Sequence, residues 1–396
     1  MKKTKNCRSC GSGELMPFLS LGRIPLSSVL SSHQLAIPEE RRSLEVAFCK
    51  RCNLVQLIGE VMSNSSMVPA AEGLLEEHWL GPQAVVLALE GSNPAQLRVF
   101  ARAGAKVIYL EPHPERSQAV SGKNIHVRSE HFNSSYARAL LHEGIRADVI
   151  LANQLPSYSS HLNQLFKSLV ALLNDEGVLI TELAYLGELL EARQFQFFSH
   201  QQLHYFSAHA VYQLARRHDL QLQEVEPLSA GYLRYYLRKA RQNEAPACQF
   251  LEAERALGLT SATYYIELAA HIAAMREALV TLIAELHARG RRVAAFGVSY
   301  SSMTLLNYAG LGREAIDFVV DVDESRHGRY LAGVHIPVYG PQKLLEEQPD
   351  YLLLLGHPPE EVASQHQVYL QAGGKLITAV PYPKILKASS RRSSYG

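Results

Sequence analysis

The sequence has little net charge, few cysteines and no long apolar run, and each shortage narrows the range of functions. Its 396 residues carry 39 lysines and arginines against 38 acidic residues, a formal net charge of +1. This balance gives no electrostatic reason to expect binding to nucleic acid or to an anionic membrane. No apolar run approaches the length of a membrane span, and the start, MKKTKNCRSC, lacks the apolar core of a signal peptide. We therefore expect a cytoplasmic protein of two or three domains.

Cysteine is scarce, yet four of the five cysteines stand in two Cys-x-x-Cys pairs. The pairs are Cys7 with Cys10 and Cys49 with Cys52. Each pair can turn two thiolates onto one ion, so together they predict a closed, tetrahedral and structural zinc site. The segment between the pairs is predicted to be rich in loops, and a metal would explain how so small a module folds. The alternative is four unrelated thiols, and Cys248 is expected to be an ordinary thiol.

The central part of the chain begins with a strand, a turn, a helix and a second strand. The apolar run Val85–Leu89 leads into the polar turn Glu90–Pro94, a helical pattern follows, and a second apolar run ends at Glu111. This is the pattern of the first βαβ unit in a doubly wound nucleotide-binding sheet. In such a unit the ligand lies at the turn, and an acid about 20 residues beyond the first glycine binds the ribose hydroxyls. Glu111 stands at that distance from Gly91.

Apolar runs and helical patterns continue to alternate through the rest of the chain. Further strands are predicted at Val107–Leu110, Asp148–Ala152, Gly177–Glu182, Tyr232–Arg238, Arg292–Gly297, Phe318–Asp321, Tyr351–Leu355 and Lys375–Val380. Helices are predicted at residues 61–80, 95–103, 161–173, 208–217, 251–289 and 304–308. The predicted domains are residues 1–60, 61–245 and 246–386, with a linker at 242–246 and a disordered tail at 387–396. Asp321 stands where a ligand-facing acid would lie in an open α/β sheet, or else it caps the next turn.

In their order and spacing these segments resemble the S-adenosylmethionine-dependent C-methyltransferases of nucleotide deoxysugars. The likeness covers nearly the whole chain and includes LGRIPLSS at 21–28, EGSN at 90–93, ADVILAN at 147–153, HYFS at 204–207 and GRYLAGVHIPVYGP at 328–341. The resemblance implies an α/β fold: a class I methyltransferase-like Rossmann sheet, a small N-terminal zinc module and a C-terminal Rossmann-like domain. It also implies a monomer that binds S-adenosylmethionine and a nucleotide-linked keto sugar. A base would remove the proton beside the ketone, and the enolate would attack the methyl group.

The resemblance assigns roles to polar residues that this sequence retains. The candidate catalytic residues are His200, His204 and Tyr205. The candidate cofactor-binding residues are Gly91, Ser92, Asn93, Glu111 and Asn153. The candidate substrate-binding residues are Glu182, Arg234, Asn307 and Asp321. Each of these residues could instead cap a turn or support a neighbour.

The sequence departs from the family pattern mainly at its polar motifs. The family's cofactor loop resembles E-x-G-S-N-D-G, whereas this chain has Leu89 in place of the acid and Pro94-Ala95 in place of the Asp-Gly. Glu90 would point to the opposite face of the sheet if the strand continued, which makes it a poor substitute. Gln201 and Gln202 replace the Glu and His that would transfer the proton, and glutamine cannot act as a base near pH 7.

Three functions therefore remain open. The first is an active sugar C-methyltransferase with His200 or His204 as its base. The second is an enzyme that binds the same sugar nucleotide and carries out other chemistry, such as epimerisation or dehydration beside a ketone. The third is a non-catalytic relative that binds a sugar nucleotide or a partner enzyme. The altered loop argues against the methyl donor, while the whole-chain resemblance argues for it.

Overall fold

A computed structural model describes residues 5–58, 83–118, 120, 122–240 and 249–386. The chain divides into two units. Unit 1 comprises residues 1–17, 46–188 and 201–265, and unit 2 comprises residues 18–45, 189–200 and 266–396. Residues from the predicted 1–60 module therefore belong to both units. The helix predicted at 61–80, the linker with Cys248 and the predicted tail lie outside the described residues.

The strands are bounded as follows: β1 Leu15–Pro25, β2 Val29–Leu30, β3 Arg41–Cys49, β4 Val55–Leu57, β5 Val85–Ala88, β6 Lys106–Leu110, β7 Ile125–Arg128, β8 Ala147–Leu151, β9 Leu173–Ala184, β10 His204–Tyr205, β11 Leu220–Pro227, β12 Tyr232–Lys239, β13 Val293–Phe296, β14 Val319–Val320, β15 Tyr330–Leu331, β16 Ile336–Tyr339, β17 Tyr351–Leu354, β18 Lys375–Thr378 and β19 Lys384–Ile385. The α-helices are α1 Pro94–Arg102, α2 Pro114–Ser117, α3 Ser134–His142, α4 Leu155–Tyr158, α5 Leu162–Leu172, α6 Leu186–Glu191, α7 Ala208–Arg217, α8 Gln249–Ala256, α9 Ala262–Ala288, α10 Tyr300–Ala309, α11 Lys343–Glu347, α12 Pro359–Gln365 and α13 Gln367–Gln371.

Unit 1 is built on a seven-stranded sheet in the order β11-β12-β9-β8-β5-β6-β7. Strands β5 to β9 run parallel, while β12 lies antiparallel between β9 and β11. The strand order reverses at β5, between β6 and β8, and such a switch point is where open α/β sheets bind their ligands. A doubly wound sheet with one antiparallel strand next to its edge is the class I methyltransferase arrangement. The predicted fold class is confirmed.

The central strands are buried on both faces, which explains why their sequences are continuous apolar runs. Residues 86–88 of β5 and the next residue, Leu89, are fully buried. In β8, Ile150 and Leu151 are at most 1% exposed. Helix α1 then begins at Pro94, because the side chain of Asn93 accepts a hydrogen bond from the backbone N–H of Ala95 at 2.8 Å. Proline suits the first position of a helix, where its missing N–H has no partner to lose.

Unit 2 contains the second predicted α/β domain, which is also confirmed. Its eight strands lie in the order β19-β18-β17-β13-β14-β16-β15-β2. Strands β18, β17, β13, β14 and β16 run parallel. Most of helix α9 also belongs to this unit. Its buried residues recur every three or four positions, as an amphipathic helix requires: Leu268, Ile272, Met275, Leu279 and Ile283.

Two predictions about secondary structure are wrong. The single helix predicted over 251–289 is two helices, α8 and α9, because the chain turns at Gly258, whose φ of +80° suits glycine. The segment between the cysteine pairs is not mainly loop, since it contains the eleven residues of β1 and the nine of β3. Several elements were not predicted, among them β7, α3 and β11.

Candidate functional site

The four paired cysteines of the N-terminal segment lie together in unit 1. Their sulfur atoms all fall within 4.8 Å of one another, and Cys7 to Cys52 and Cys10 to Cys49 are each 3.6 Å apart. A tetrahedral zinc ion with Zn–S bonds of about 2.3 Å holds its sulfurs about 3.8 Å apart. The hydrogen bond with Cys49 and burial raise the pKa of Cys52, which disfavours its thiolate form. All four adjacent cysteines can therefore be thiolates only if a cation binds between them. The geometry and the donor set fit zinc.

The loop between the first two cysteines is held by side chains from α5 and from the end of α7. Asn163 on α5 donates hydrogen bonds to the carbonyl oxygens of Arg8 and Ser9, at 2.9 and 2.8 Å. The Oδ1 atom of Asn163 lies 3.0 Å from Nε2 of His218, and Arg217 donates to the hydroxyl of Ser9. The first metal-binding loop is therefore anchored directly on α5 and on the end of α7.

The predicted cofactor turn follows β5 at the switch point of the sheet. Gly91 has a φ of +83°, a conformation that few other residues adopt. The hydroxyl of Ser92 donates to the carbonyl of Leu89 at 2.7 Å, and the side chain of Asn93 caps α1. The side chains of Ser92 and Asn93 therefore stabilise the conformation of the turn. The groups that the turn can present to a ligand are its backbone and the positive end of α1.

Glu111 lies at the carboxyl end of β6, as predicted for a ribose-binding acid, but its carboxylate is enclosed. Its exposed fraction is 0%. One oxygen accepts a hydrogen bond from the hydroxyl of Tyr109 at 2.8 Å, and the other accepts one from the backbone N–H of His113 at 3.1 Å. Both oxygens of Glu111 are thus occupied by the chain itself.

The acid next to the glycine does not continue the strand. Glu90 would point to the opposite face if the strand continued, but β5 ends at Ala88 and Glu90 lies in the turn. One of its carboxylate oxygens is 3.7 Å from Nδ1 of His131. Burial raises the pKa of Glu90, and the neighbouring charge of Glu111 raises it further. Glu90 therefore lies on the same side of the sheet edge as Glu111.

Three more of the retained polar residues of unit 1 form one buried network. Asn153 accepts a hydrogen bond from the backbone N–H of Glu182 at 3.1 Å. Arg234 lies opposite Glu182 in the register of β12 and β9 and donates to one of its oxygens from two nitrogens, at 2.9 and 2.8 Å. A third nitrogen of Arg234 reaches Glu226 at 2.8 Å. The arginine is 1% exposed and fully paired, so this network holds the sheet together.

Next to Asn153 the backbone adopts a conformation that the sequence did not signal. Gln154 has a φ of +56° and a ψ of −24°, in the left-handed region, although it carries a long side chain. Such residues cost on the order of 1–3 kcal/mol and concentrate at ligand sites. Gln154 lies in the short connection between β8, which ends at Leu151, and α4, and it is 3% exposed.

The predicted bases are buried, and burial weakens them as bases. His204 is completely enclosed, and its Nδ1 donates to the carbonyl of Pro156 at 3.0 Å. Its Nε2 has no partner among the residues that the structure describes, and burial lowers the pKa of His204 to about 3. His200, in unit 2, donates to the carbonyl of Ser43 at 3.3 Å, and burial lowers its pKa as well. Tyr205 is 1% exposed on β10.

Both predicted substrate-binding residues of unit 2 make hydrogen bonds to neighbouring groups of that unit. One oxygen of Asp321 accepts from the backbone N–H of Val298 at 2.6 Å, the other from that of Asp323 at 2.8 Å, and Arg326 lies 3.1 Å away. This is the capping role given above as the alternative for Asp321. The amide of Asn307 donates to the carbonyls of Met303 and Ala332, at 2.8 and 3.0 Å.

Comparison with known proteins supports the two terminal parts of the prediction. The C-methyltransferase C-terminal domain matches residues 227–381, and a zinc-binding domain matches residues 7–65. C-methyltransferase NovU from Streptomyces niveus is 26% identical in an alignment 409 positions long, which covers 97% of each chain. The resemblance to C-methyltransferases is confirmed, and so is the zinc-binding module.

Solved methyltransferase structures resemble a part of the chain. The 1,6-didemethyltoxoflavin-N1-methyltransferase of Burkholderia thailandensis, with bound S-adenosylhomocysteine, is 17% identical and covers 40% of this chain and 72% of its own, with a TM-score of 0.29. Magnesium protoporphyrin IX methyltransferase of Synechocystis PCC 6803, also with S-adenosylhomocysteine, is 12% identical and covers 40% and 75%, with a TM-score of 0.32. The fold assignment rests on the strand order itself. Within the described parts of the chain, no helix is long and apolar enough to cross a membrane.

Proposed function

We propose that this chain, a relative of the C-methyltransferases along nearly its whole length, transfers a methyl group from S-adenosylmethionine to a carbon atom of a nucleotide-linked keto sugar. The observation that carries the proposal is the similarity to a C-methyltransferase over 97% of both chains. The methyltransferase-like strand order supports it, since the Gly91 turn lies at the switch point where such sheets bind ligands.

The residues at the switch point suit the parts of S-adenosylmethionine. The positive end of α1, which begins at Pro94, favours the carboxylate of the amino-acid part. Acidic side chains at the ends of β5 and β6 suit the ribose hydroxyls. When bound, the cofactor supplies an electrophilic methyl group on its sulfonium. The zinc ion would be held by Cys7, Cys10, Cys49 and Cys52 and would have a structural role, because a four-cysteine site leaves no open position.

Proton removal is the step for which the chain is least well equipped. The glutamines at 201 and 202 cannot accept a proton near pH 7. A histidine with a pKa of about 3, as His204 has, is poorly matched to a weak carbon acid. These observations favour a second candidate function, in which the chain binds the cofactor and the sugar nucleotide without methylating the sugar.

Solution experiments separate these functions. Calorimetry of the zinc-loaded protein with S-adenosylmethionine should show binding, and no binding at millimolar concentration would contradict the methyltransferase proposal. Incubation with a nucleotide-linked keto sugar in deuterated water then tests the base. Methylated sugar supports the first function. Deuterium exchange without methylation supports other chemistry beside the ketone, and binding without either supports the non-catalytic function.

A further inference from the structure

The acid expected to bind ribose is enclosed, and each of its oxygens already accepts a hydrogen bond from the chain. Glu111 has no exposed surface, and its two oxygens accept from Tyr109 and from the backbone of His113. Tyr109 is itself 1% exposed, two residues before Glu111 on the same face of β6. Because the carboxylate has no exposed surface, a ribose diol would reach it only if the groups that enclose it moved, and Tyr109 or the backbone N–H of His113 would then lose a buried acceptor.

A second carboxylate at the same edge of the sheet has free acceptor atoms. The Glu90 side chain is 12% exposed. Within the described ranges no N–H or O–H group donates a hydrogen bond to it, and the imidazole Nδ1 of His131 lies 3.7 Å from one of its oxygens. A carboxylate this far removed from water needs hydrogen-bond donors, and two neighbouring hydroxyls would supply them.

The direction of the Glu90 side chain indicates which part of the cofactor it meets. The residue follows β5, and its carboxylate comes close to His131, which follows β7. Strand β6 lies between those two strands, and the residues after it, Glu111 and His113, are near enough to alter the pKa of Glu90. The carboxylate thus extends over the end of β6, where the ribose lies in a doubly wound sheet.

An unpaired imidazole nitrogen stands in the same cluster. The Nε2 atom of His113 is buried and has no hydrogen-bond partner in the described chain. Its ring lies edge-on to that of His131, with the centroids 6.2 Å apart. The loops after β6 and β7 therefore present two imidazoles beside the Glu90 carboxylate, and a polar ligand at this edge would find both donors and acceptors.

We propose that Glu90, and not Glu111, is the acid that binds the ribose hydroxyls of S-adenosylmethionine. This inference rests on the proposed function. Glu111 is then a positioning residue, which fixes the start of the loop after β6 through Tyr109 and the backbone of His113. The substitution of Leu89 for the family's acid is compensated by an acid one residue later, because the early end of β5 turns that residue towards the ligand.

Calorimetry with S-adenosylhomocysteine and its 2′-deoxy analogue tests the assignment. Glu90→Gln keeps the shape of the side chain and removes its charge, and we expect it to weaken binding of S-adenosylhomocysteine at least about tenfold, the effect of losing charge-assisted hydrogen bonds. The loss should shrink when the ligand lacks the 2′-hydroxyl. Glu111→Gln should change the affinity by less than about threefold. Glu115→Gln, at an exposed acid in α2, controls for the change in net charge.

The possible outcomes separate this inference from the function on which it rests. If Glu90→Gln binds both ligands as the wild type does, while Glu111→Gln loses the 2′-hydroxyl preference, the inference is overturned and the proposed function stands. If the wild type binds neither ligand, both are overturned. Comparing the two ligands on one variant cancels any general loss of stability, so a partly destabilised Glu90→Gln still gives a decisive ratio.

Discussion

At the scale of single residues, the buried polar side chains serve the fold more than the chemistry. Four residues to which the resemblance alone would give a catalytic or substrate-binding role make hydrogen bonds to neighbouring backbone or side-chain groups instead. They are His204, Arg234, Asn307 and Asp321. Sequence shows which residue types are retained and cannot show whether their atoms are already paired. The zinc ligands are the exception, since Cys-x-x-Cys spacing specifies the geometry by itself.

The burial of His204 predicts how stability depends on pH. Its pKa is about 3 in the folded protein and about 6.5 when exposed, so between these values only the unfolded chain binds the proton and stability falls as the pH falls. From pH 7 to pH 5 the wild type should lose about 2 kcal/mol more than His204→Gln. Urea unfolding of both proteins at the two pH values measures this. Equal losses would show that His204 can be protonated in the folded state.

The paired state of Arg234 predicts a large cost for breaking the pair. Arg234→Met should destabilise the protein by about 3–5 kcal/mol, because it leaves Glu182 buried without its partner. Replacing both residues by methionine should recover most of that loss. Arg128→Met, in the exposed pair with Glu143, is the control and should cost about 1 kcal/mol or less. Urea unfolding of the wild type and the three variants measures these free energies of unfolding. A small effect of Arg234→Met would mean that its pairing with Arg234 contributes little to the stability of buried Glu182.

At the scale of elements, the sequence predicts the central strands well and the edges poorly. The strands β5, β6 and β8 are fully covered and appear as apolar runs, so their predicted bounds differ from the structure by only a residue or so. The strands β7 and β11 are the two edges of the sheet, and their mixed sequences, IHVR and LQLQEVEP, lack that signal. The direction of Glu90 cannot be predicted from the sequence for a related reason: it depends on where β5 ends, and periodicity locates the end of a strand only loosely.

The anchoring of the first metal-binding loop predicts that α5 contributes to metal retention. Asn163→Ala should remove two hydrogen bonds to the loop and raise the rate of zinc release to a chelator, while leaving the four ligands in place. Cys7→Ser should release the metal outright, because it breaks the ligand set. A colorimetric zinc assay follows both. Gln164→Ala, on the same helix but bonded to Ser134, is the matched control, and an Asn163→Ala rate equal to that control would refute the anchoring role.

At the scale of the whole molecule, the protein combines similarity to a C-methyltransferase along 97% of its chain with an altered set of polar residues. The two sheets, the zinc-binding module and the similarity over 97% of the chain support retention of the function. The glutamines at 201 and 202 and the low pKa of His204 oppose it, because they leave the proton-transfer step without an obvious base. The protein can therefore bind S-adenosylmethionine and the sugar nucleotide and still fail to transfer the methyl group.

The most direct test follows the methyl group itself. Zinc-loaded protein is incubated with S-adenosylmethionine labelled in its methyl group and with a nucleotide-linked keto sugar, and the sugar and S-adenosylhomocysteine are quantified by mass spectrometry. We expect one labelled methyl group to appear on a carbon atom of the sugar for each molecule of S-adenosylhomocysteine formed. Folded protein that binds both compounds and yields neither product would contradict it.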